Sequence, residues 1–461
     1  MSDIRSKTEH WGSRFGFIMA AVGSAVGLGN LWRFPFTAGE NGGSAFIVVY
    51  LICVAALGLP VLIAEYAVGR KGARSAIAGI RHIAETEGKS TAWVAMGWIG
   101  VVCATTIVSF YFVVATWVFD FIPQAFSGRF EGMDAAGSAA NFARTVGSQL
   151  EISLFLAIFI ALNVWVVSRG IKRGIERASE ILMPAFFIML VGMVIFALST
   201  GDAAAAAAFL LQPDFSRVGF GMFLSAVGQA FFSIGVGTCL MITYGAYLTR
   251  DTQIPRVSGM VAGSDTFVAL IAGFAIFPIV FAFGLEPSAG GGLFFVTMPV
   301  AFGQMPFGAL VGGLFFTLAL FAAFTSSISL FEVAVSWLED QRGIGRVRGA
   351  IGLGALLYLV GLGYIHNGAF IDHADFITGS ILLPLGGLLI SLFAGYVLSR
   401  DSLSSEIGTG WHFDLVRLFL RYVVPIALLF ILVFGVLDKL QDQYGLAMPD
   451  FLAPVIGANA P

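Results

Sequence analysis

Gly-Ser-Ala-Val-Gly-Leu-Gly-Asn-Leu-Trp-Arg-Phe-Pro, residues 23–35, interrupts an apolar segment that begins at Trp11 and is otherwise long enough to cross a bilayer. Each glycine in it weakens a helix by about 1 kcal/mol relative to alanine. Asn30 and Arg33 place an amide and a charge at membrane depth, where charges are costly and usually functional. Since broken backbone is tolerated in a membrane only inside protein or beside a cavity, the stretch predicts an unwound helix centre that holds a ligand or an ion. A glycine-rich packing face is the alternative.

A second interrupted segment lies in the other half of the chain. Residues 229–238 read Gln-Ala-Phe-Phe-Ser-Ile-Gly-Val-Gly-Thr, again in the middle of an apolar segment. Two broken helices at corresponding positions of two halves indicate a secondary transporter with its binding site near the bilayer midplane.

The composition places the whole chain in a membrane. Of its 461 residues, 58% are hydrophobic and only 11% are charged, whereas soluble domains carry about 25% charged residues. Residues 1–461 are therefore interpreted as one polytopic, all-α membrane domain in contact with the lipid bilayer. The net charge of −3 gives no argument for nucleic acid binding. The three cysteines lie in apolar spans, and the five histidines show no metal or catalytic-triad spacing, so no enzyme is expected.

Apolar segments of about 20 residues predict spanning helices. Eleven are predicted, at residues 12–37, 43–69, 92–124, 152–169, 178–200, 218–248, 257–284, 307–338, 349–365, 375–399 and 412–438. Residues 203–208 predict a short surface helix, the loop 285–306 a flexible lid, and the tail 442–461 no further span.

Charge distribution predicts the orientation. Most of the 25 lysines and arginines lie before the first segment or after even-numbered segments, which predicts a cytoplasmic N-terminus and an extracytoplasmic C-terminus in the plasma (inner) membrane. Because the broken segments are the first and the sixth, residues 12–200 and 218–399 form two five-helix units of opposite topology. This 5+5 inverted repeat is followed by an eleventh helix at 412–438.

Several motifs resemble one transporter family. Trp11, the 23–35 stretch, Glu40-Asn41-Gly42-Gly43 and Glu65 look like the first two helices of the neurotransmitter:sodium symporters. Residues 229–237, Thr325-Ser326-Ser327 and Trp337-Leu338-Glu339-Asp340 continue the resemblance, which runs from about residue 9 to residue 396. The bacterial branch that transports hydrophobic and aromatic amino acids is the most similar, and it implies a leucine-transporter-like fold.

The resemblance implies two sodium ions. The implied ligands of the first are Ala25, Asn30, Ser233 and Asp265, and those of the second are Gly23, Val26, Ala322, Thr325 and Ser326. Carbonyl, amide and hydroxyl oxygens suit a hard cation. Taken alone, Thr325-Ser326-Ser327 fits helix packing equally well.

The resemblance also implies an amino-acid site. The substrate carboxylate would meet the N–H groups of Leu28 and Gly29 at a helix N-terminus, together with Tyr111. Without the resemblance, Tyr111 is equally an interfacial or packing residue. The remaining contacts implied for the ammonium group and the side chain are Ala25, Ile107, Phe232, Ser233, Gly235, Thr238, Ser326 and Leu330.

Gates are implied on both sides of this site. Arg33 and Asp375 resemble an outer ion pair, whereas Trp11, Tyr247 and Asp340 resemble an inner gate. Thr8 replaces the inner-gate arginine of the family, which leaves Arg5 or Lys7 as substitutes, or a weaker gate. Gly174 and Pro184 resemble a pair that lets the fifth helix unwind; a loop glycine and a packing proline are the alternative.

Chloride is not expected. Ala269 stands where chloride-dependent members carry a serine, and Asp265 lies one turn earlier, with Tyr50 and Gln229 expected nearby. A carboxylate can supply the negative charge of chloride, although Asp265 could also cap the start of its helix.

These observations together predict sodium-coupled symport of a hydrophobic or aromatic L-amino acid into the cell by alternating access. A proton-coupled carrier of the same fold, a non-transporting sensor and a channel are the alternatives. The preferred amino acid, the stoichiometry and the oligomeric state stay open.

Overall fold

The computed structural model describes residues 9–287 and 291–444, and every regular element within them is helical. Helices satisfy their backbone hydrogen bonds internally, as a lipid environment requires. The predicted all-α class is thereby confirmed for the described residues. Arg5, Lys7 and Thr8, loop residues 288–290 and the tail after residue 444 lie outside them.

The helices are numbered in chain order through the first and the second half of the sequence. The first half contains α1 (Arg14–Ala25), α2 (Gly29–Glu40), α3 (Ser44–Gly72), α4 (Ala76–Thr86), α5 (Thr91–Phe126), α6 (Ala135–Gly147), α7 (Gln149–Val167), α8 (Ile171–Thr200) and α9 (Ala203–Leu211). The second half contains α10 (Phe220–Ile234), α11 (Leu240–Ala246), α12 (Ile254–Ala282), α13 (Leu293–Gln304), α14 (Gly308–Arg342), α15 (Arg346–His366), α16 (Ala369–Val397), α17 (Arg400–Ile407) and α18 (Trp411–Leu437).

Long apolar helices account for most predicted spans. Within the described residues, nine helices are long and apolar enough to cross a membrane, and α1 with α2 makes a tenth span that is bent by 47° at its break. The segment 218–248, predicted as a broken span, forms two shorter helices, α10 and α11, as that prediction requires. The chain is thus a multi-pass membrane protein, while the count of eleven stays a prediction.

Two segments that connect the long helices, α9 and α13, are themselves helical. The predicted short helix at 203–208 is confirmed as α9, whose N-cap Asp202 accepts a hydrogen bond from the Ala205 N–H at 2.9 Å. The expectation of a flexible lid over 285–306 is wrong for its helical part, α13. Phe294 and Phe295 of α13 are 1% exposed, because this helix packs its apolar face against the protein. The helix is too short to cross a membrane.

The long helices α5 and α14 pack along each other and form the scaffold beside α1. A Cβ atom on Gly27 would lie 2.6 Å from Ser326 Oγ of α14 and 3.1 Å from the Tyr111 hydroxyl of α5. Only glycine therefore allows the broken part of the first span to approach both scaffold helices.

Candidate functional site

The first span breaks where its glycines cluster. Helix α1 ends at Ala25, Val26 is extended with φ −75° and ψ 105°, and α2 starts at Gly29 with a π-helical turn. The Asn30 side-chain oxygen accepts from the Gly27 N–H at 2.9 Å, and the Leu28 N–H donates to the Tyr111 hydroxyl at 3.2 Å. Side chains of this protein thus satisfy backbone groups that the break releases.

The sixth predicted segment breaks at its own glycines. Gly235 and Gly237 have φ values of 74° and 92°, which glycine adopts without steric cost. Cys239 has a φ of 58°, although it carries a side chain. The Gly237 N–H donates to Glu65 Oε1 of α3 at 2.6 Å, so a buried carboxylate holds the turn.

A cavity of about 50 Å³ lies between the two breaks. Its lining includes ten of the predicted substrate contacts: Ala25, Gly29, Ile107, Tyr111, Phe232, Ser233, Gly235, Thr238, Ser326 and Leu330. Leu28 does not line the cavity but reaches it through its hydrogen bond to Tyr111. Ser24, Gly27, Leu240 and Leu383 line it without having been predicted. Gly27 and Ser24 lie in the 23–35 stretch and could have been found, whereas no local pattern marks Leu383.

A polar cluster surrounds Asp265, which is fully buried. The Asn30 amide donates to Asp265 Oδ1 at 2.7 Å, and the Ser233 hydroxyl lies 2.9 Å from both carboxylate oxygens. The Tyr50 hydroxyl is 3.5 Å from Oδ2. No lysine or arginine of the described residues forms an ion pair with this carboxylate. Asp265 lies in the middle of α12, so the alternative of a helix N-cap is wrong.

A second group of oxygens lies between α1 and α14. The Ser326 hydroxyl is 3.3 Å from the carbonyl oxygens of both Gly23 and Val26. The Thr325 hydroxyl is 3.1 Å from the carbonyl oxygen of Ala322. All five residues predicted for the second sodium ion therefore lie in one place, between α1 and α14.

Residues 8–132 and 136–457 match the sequence profile of the Sodium:neurotransmitter symporter family. The chain belongs to this family. The uncharacterized sodium-dependent transporter YhdH of Bacillus subtilis is 35% identical over 92% of this chain and 97% of its own length. An uncharacterized sodium-dependent transporter of Haemophilus influenzae is 30% identical over 94% of this chain and 99% of its own length.

A solved structure is similar over nearly the same region. The crystal structure of MhsT in complex with L-phenylalanine has a TM-score of 0.85 and 38% identity, covering 92% of this chain and 99% of that chain. The relatives are transporters, which confirms that this symporter is not an enzyme.

Sodium, which the family implies, fits the residues present. Asp265 is a buried carboxylate without a basic partner among the described residues, and burying a charge is costly unless it is paired. The second group offers uncharged carbonyl and hydroxyl oxygens, which hard cations prefer. The part of the chain that the structure describes has no group of three or more His, Cys, Asp or Glu side chains placed for a metal.

The outer gate differs from the expectation. The Arg33 guanidinium lies 4.2 Å from the ring centre of Phe232, which lines the cavity. Asp375 is exposed, and no ion pair with Arg33 is found between these two described residues. The prediction of an Arg33–Asp375 pair is therefore wrong for this conformation. A face-on aromatic ring provides the arginine with an alternative partner.

The inner gate brings together two of its three predicted residues. The Trp11 indole N–H donates to the Tyr244 carbonyl at 3.2 Å, and its ring meets the rings of Tyr244 and Tyr247 edge-on, at 5.0 and 6.3 Å. Asp340 instead accepts from the Ser75 N–H and hydroxyl at 3.2 and 2.7 Å.

The inner gate continues into a buried ion pair that the sequence analysis missed. The Tyr247 hydroxyl donates to Glu332 at 2.9 Å, and Glu332 pairs with Arg346. Glu332 is 0% exposed within the apolar helix α14. The sequence did carry a signal for this pair, because a single acidic residue in an apolar span requires a partner.

Gly174 and Pro184, the pair expected to let the fifth span unwind, lie in a part of α8 that is helical in this structure. Residues Ile171–Glu176 form a π-helical turn that contains Gly174, and Pro184 lies inside α8. The Glu176 carboxylate accepts from the N–H groups of Gly12 and Ser13 at 2.6 and 2.9 Å. The start of α8 is thereby tied to the segment that carries Trp11.

Proposed function

We propose that this family member couples sodium entry to the uptake of a hydrophobic or aromatic L-amino acid by alternating access. The observation that carries the proposal is the cavity that both helix breaks border, with the Asp265 cluster beside it. Backbone groups at two helix breaks and a buried carboxylate in one place suit a zwitterion and a cation together.

The ends of the substrate would bind to different sides of the cavity. Its carboxylate would meet the Leu28 and Gly29 N–H groups at the start of α2, where the helix dipole is positive, and the Tyr111 hydroxyl. Its ammonium group would meet carbonyl oxygens of Ala25, Phe232 and Ser233. The bound L-phenylalanine of MhsT, which is 38% identical, supports an amino acid with an apolar side chain.

The walls of the cavity favour large apolar side chains. A Cβ atom on Gly235 would meet nothing within 4 Å, so there is open space beside Thr238. Ile107 and Leu330 supply apolar walls. Pockets for larger ligands measure about 300–1,000 Å³, so an aromatic side chain requires the half-buried Phe232 to swing away. One methylene is worth about 1–3 kcal/mol, so large apolar substrates would compete with one another.

We further propose that two sodium ions bind, one at the Asp265 cluster and one at the α1–α14 oxygens, and that chloride is not required. Asp265 supplies a fixed negative charge, whereas Ala269, one turn later in the helix, is a buried methyl group without a polar atom.

The topology belongs to the same proposal. Taking α10 and α11 as one broken span makes eleven spans, which divide into the inverted repeats 12–200 and 218–399 and the helix 412–438. Arginine and lysine positions favour a cytoplasmic N-terminus and an extracytoplasmic C-terminus in the plasma (inner) membrane.

Uptake by proteoliposomes tests the proposal. With an inward sodium gradient and gluconate as the anion, labelled L-phenylalanine should accumulate, and replacing sodium by choline should abolish uptake. Tryptophan and leucine should compete, whereas glycine, glutamate and lysine should not. Uptake that follows a proton gradient in choline would instead show a proton-coupled carrier.

Counterflow separates transport from mere binding. Liposomes that are preloaded with unlabelled phenylalanine should exchange it for labelled substrate in sodium. Sodium-dependent binding without exchange would show a sensor, and flux that does not saturate would show a channel.

A further inference from the structure

A groove lies on the outside of the helix bundle, between α5, α14 and α15, away from the cavity described above. Its volume is about 500 Å³. Residues from all three helices line it, including Trp98, Val102, Thr105, Trp337, Arg348 and Leu356.

The walls of this groove are apolar. Val102 is 49% exposed and Leu356 is 55% exposed, although both lie on membrane-spanning helices. Two threonines, Thr105 and Thr106, also line the groove, and the Thr105 hydroxyl donates to the Val101 carbonyl within its own helix at 2.7 Å. These walls therefore suit a hydrocarbon chain and not a polar ligand.

One end of the groove is cationic and aromatic. The rings of Trp98 and Trp337 meet edge-on at 5.1 Å, and tryptophans mark the level of lipid headgroups. Arg346 is engaged by Glu332 and Glu339. Arg348 is exposed, and none of the carboxylates that the structure describes forms an ion pair with it.

The length of the groove fits one leaflet. Eight residues separate Arg348 from Leu356 on α15, which corresponds to about 12 Å of helix. One leaflet makes up half of the ~30 Å hydrocarbon core, so this length covers most of one leaflet. The groove thus begins at a cation beside two tryptophans and continues as an apolar channel into the membrane.

We propose that this groove binds an anionic phospholipid, with the phosphate at Arg348 and one acyl chain between α5, α14 and α15. Basic sites between spanning helices on the cytoplasmic side are typical of anionic-lipid recognition. The bound lipid bridges α5 and α14, which carry Ile107, Tyr111, Ser326 and Leu330 of the central cavity. Anionic lipid is therefore expected to stabilise the helices that hold this site.

Lipid retention by the purified, full-length protein tests the proposal. Native mass spectrometry and thermal unfolding would compare palmitoyl-oleoyl phosphatidylglycerol with the matching phosphatidylcholine. The wild type should retain phosphatidylglycerol more strongly and unfold at a higher temperature with it. Arg348→Gln should weaken its retention about fivefold, the effect of one arginine near an anionic surface. Arg81→Gln removes an exposed arginine of α4 as the matched control and should retain the lipid.

A second variant blocks the apolar part of the groove. Gly352 lines it, and a Cβ atom there would meet nothing within 4 Å. Gly352→Phe should fit without disturbing the core and should weaken retention about tenfold or more, because the acyl chain would lose the burial of several methylene groups. Gly363→Phe is the control, since Gly363 lies on the same helix, also with open space, outside the groove.

Three results would overturn the proposal. They are equal effects of the two lipids on the wild type, undiminished phosphatidylglycerol retention by both Arg348→Gln and Gly352→Phe, and an Arg348-dependent stabilisation by inorganic phosphate that equals that of the lipid. None of them bears on sodium-coupled uptake, so this proposal and the proposed function can fail separately.

Discussion

Replacing Asp265 by asparagine tests whether its charge serves sodium binding in place of chloride. The substitution keeps the shape of the side chain but removes the negative charge and one acceptor oxygen. Asn30 and Ser233 donate to this carboxylate at 2.7 and 2.9 Å, so the new amide group would face donors. We therefore expect Asp265→Asn to weaken sodium-dependent substrate binding.

The magnitude follows from the contacts. Hydrogen bonds to charged groups contribute about 1.5–3 kcal/mol each. A cation 4 Å from the carboxylate gains about 4 kcal/mol at an effective dielectric constant of 20. Because the variant also avoids the cost of burying a charge, a net loss of about 1.5–3 kcal/mol is expected. This corresponds to about a 10- to 150-fold increase in the sodium concentration at half-maximal binding.

The assay is a sodium titration of labelled L-phenylalanine binding to the purified protein, in gluconate and in chloride. The wild type should give the same midpoint in both anions. Asp265→Asn should shift the midpoint upward in gluconate and recover part of the shift in chloride. Asp372→Asn, at an exposed position of α16, is the control and should leave the midpoint unchanged. A variant midpoint in gluconate equal to that of the wild type would refute the reasoning.

Three further predictions concern the gates and the pocket. Pro184→Ala restores a backbone donor inside α8 and should lower the uptake rate severalfold by resisting unwinding, with equilibrium binding of L-phenylalanine nearly unchanged. Thr238→Phe narrows the cavity and should weaken tryptophan at least tenfold more than leucine in competition binding, since overpacking costs about 1–3 kcal/mol. Trp11→Ala removes the packing against Tyr244 and Tyr247 and should make a cysteine placed at Ser24 more reactive from the cytoplasmic side, because truncating a buried aromatic costs about 3–5 kcal/mol.

Each of these three has a result that contradicts it. An unchanged uptake rate in Pro184→Ala would show that the proline only packs against its neighbours. Equal losses for tryptophan and leucine in Thr238→Phe would place the substrate side chain elsewhere. Unaltered labelling in Trp11→Ala, measured against the same cysteine in the wild-type background, would show that Trp11 does not close the inner path.

Local sequence was enough to predict an all-helical chain and the two helix breaks. Residues 23–35 and Gly235–Gly237 carry glycines and polar groups inside apolar segments, and both sites are broken in the structure. These signals are local, since hydrophobic length, glycine spacing and a charge at membrane depth act within a few residues. The family motifs then pointed to ten of the residues that line the cavity.

Tertiary structure alone decided which side chains meet. Leu383 of α16 lines the cavity. Arg33 packs on the ring of Phe232 and not beside Asp375. Glu332 of α14 forms an ion pair with Arg346 of α15. A charge in an apolar span indicates that a partner is required, but the rotation and depth of each helix determine which partner is within reach. Those two quantities depend on packing along the whole length of α5, α12, α14 and α16, and no local pattern of residues encodes them.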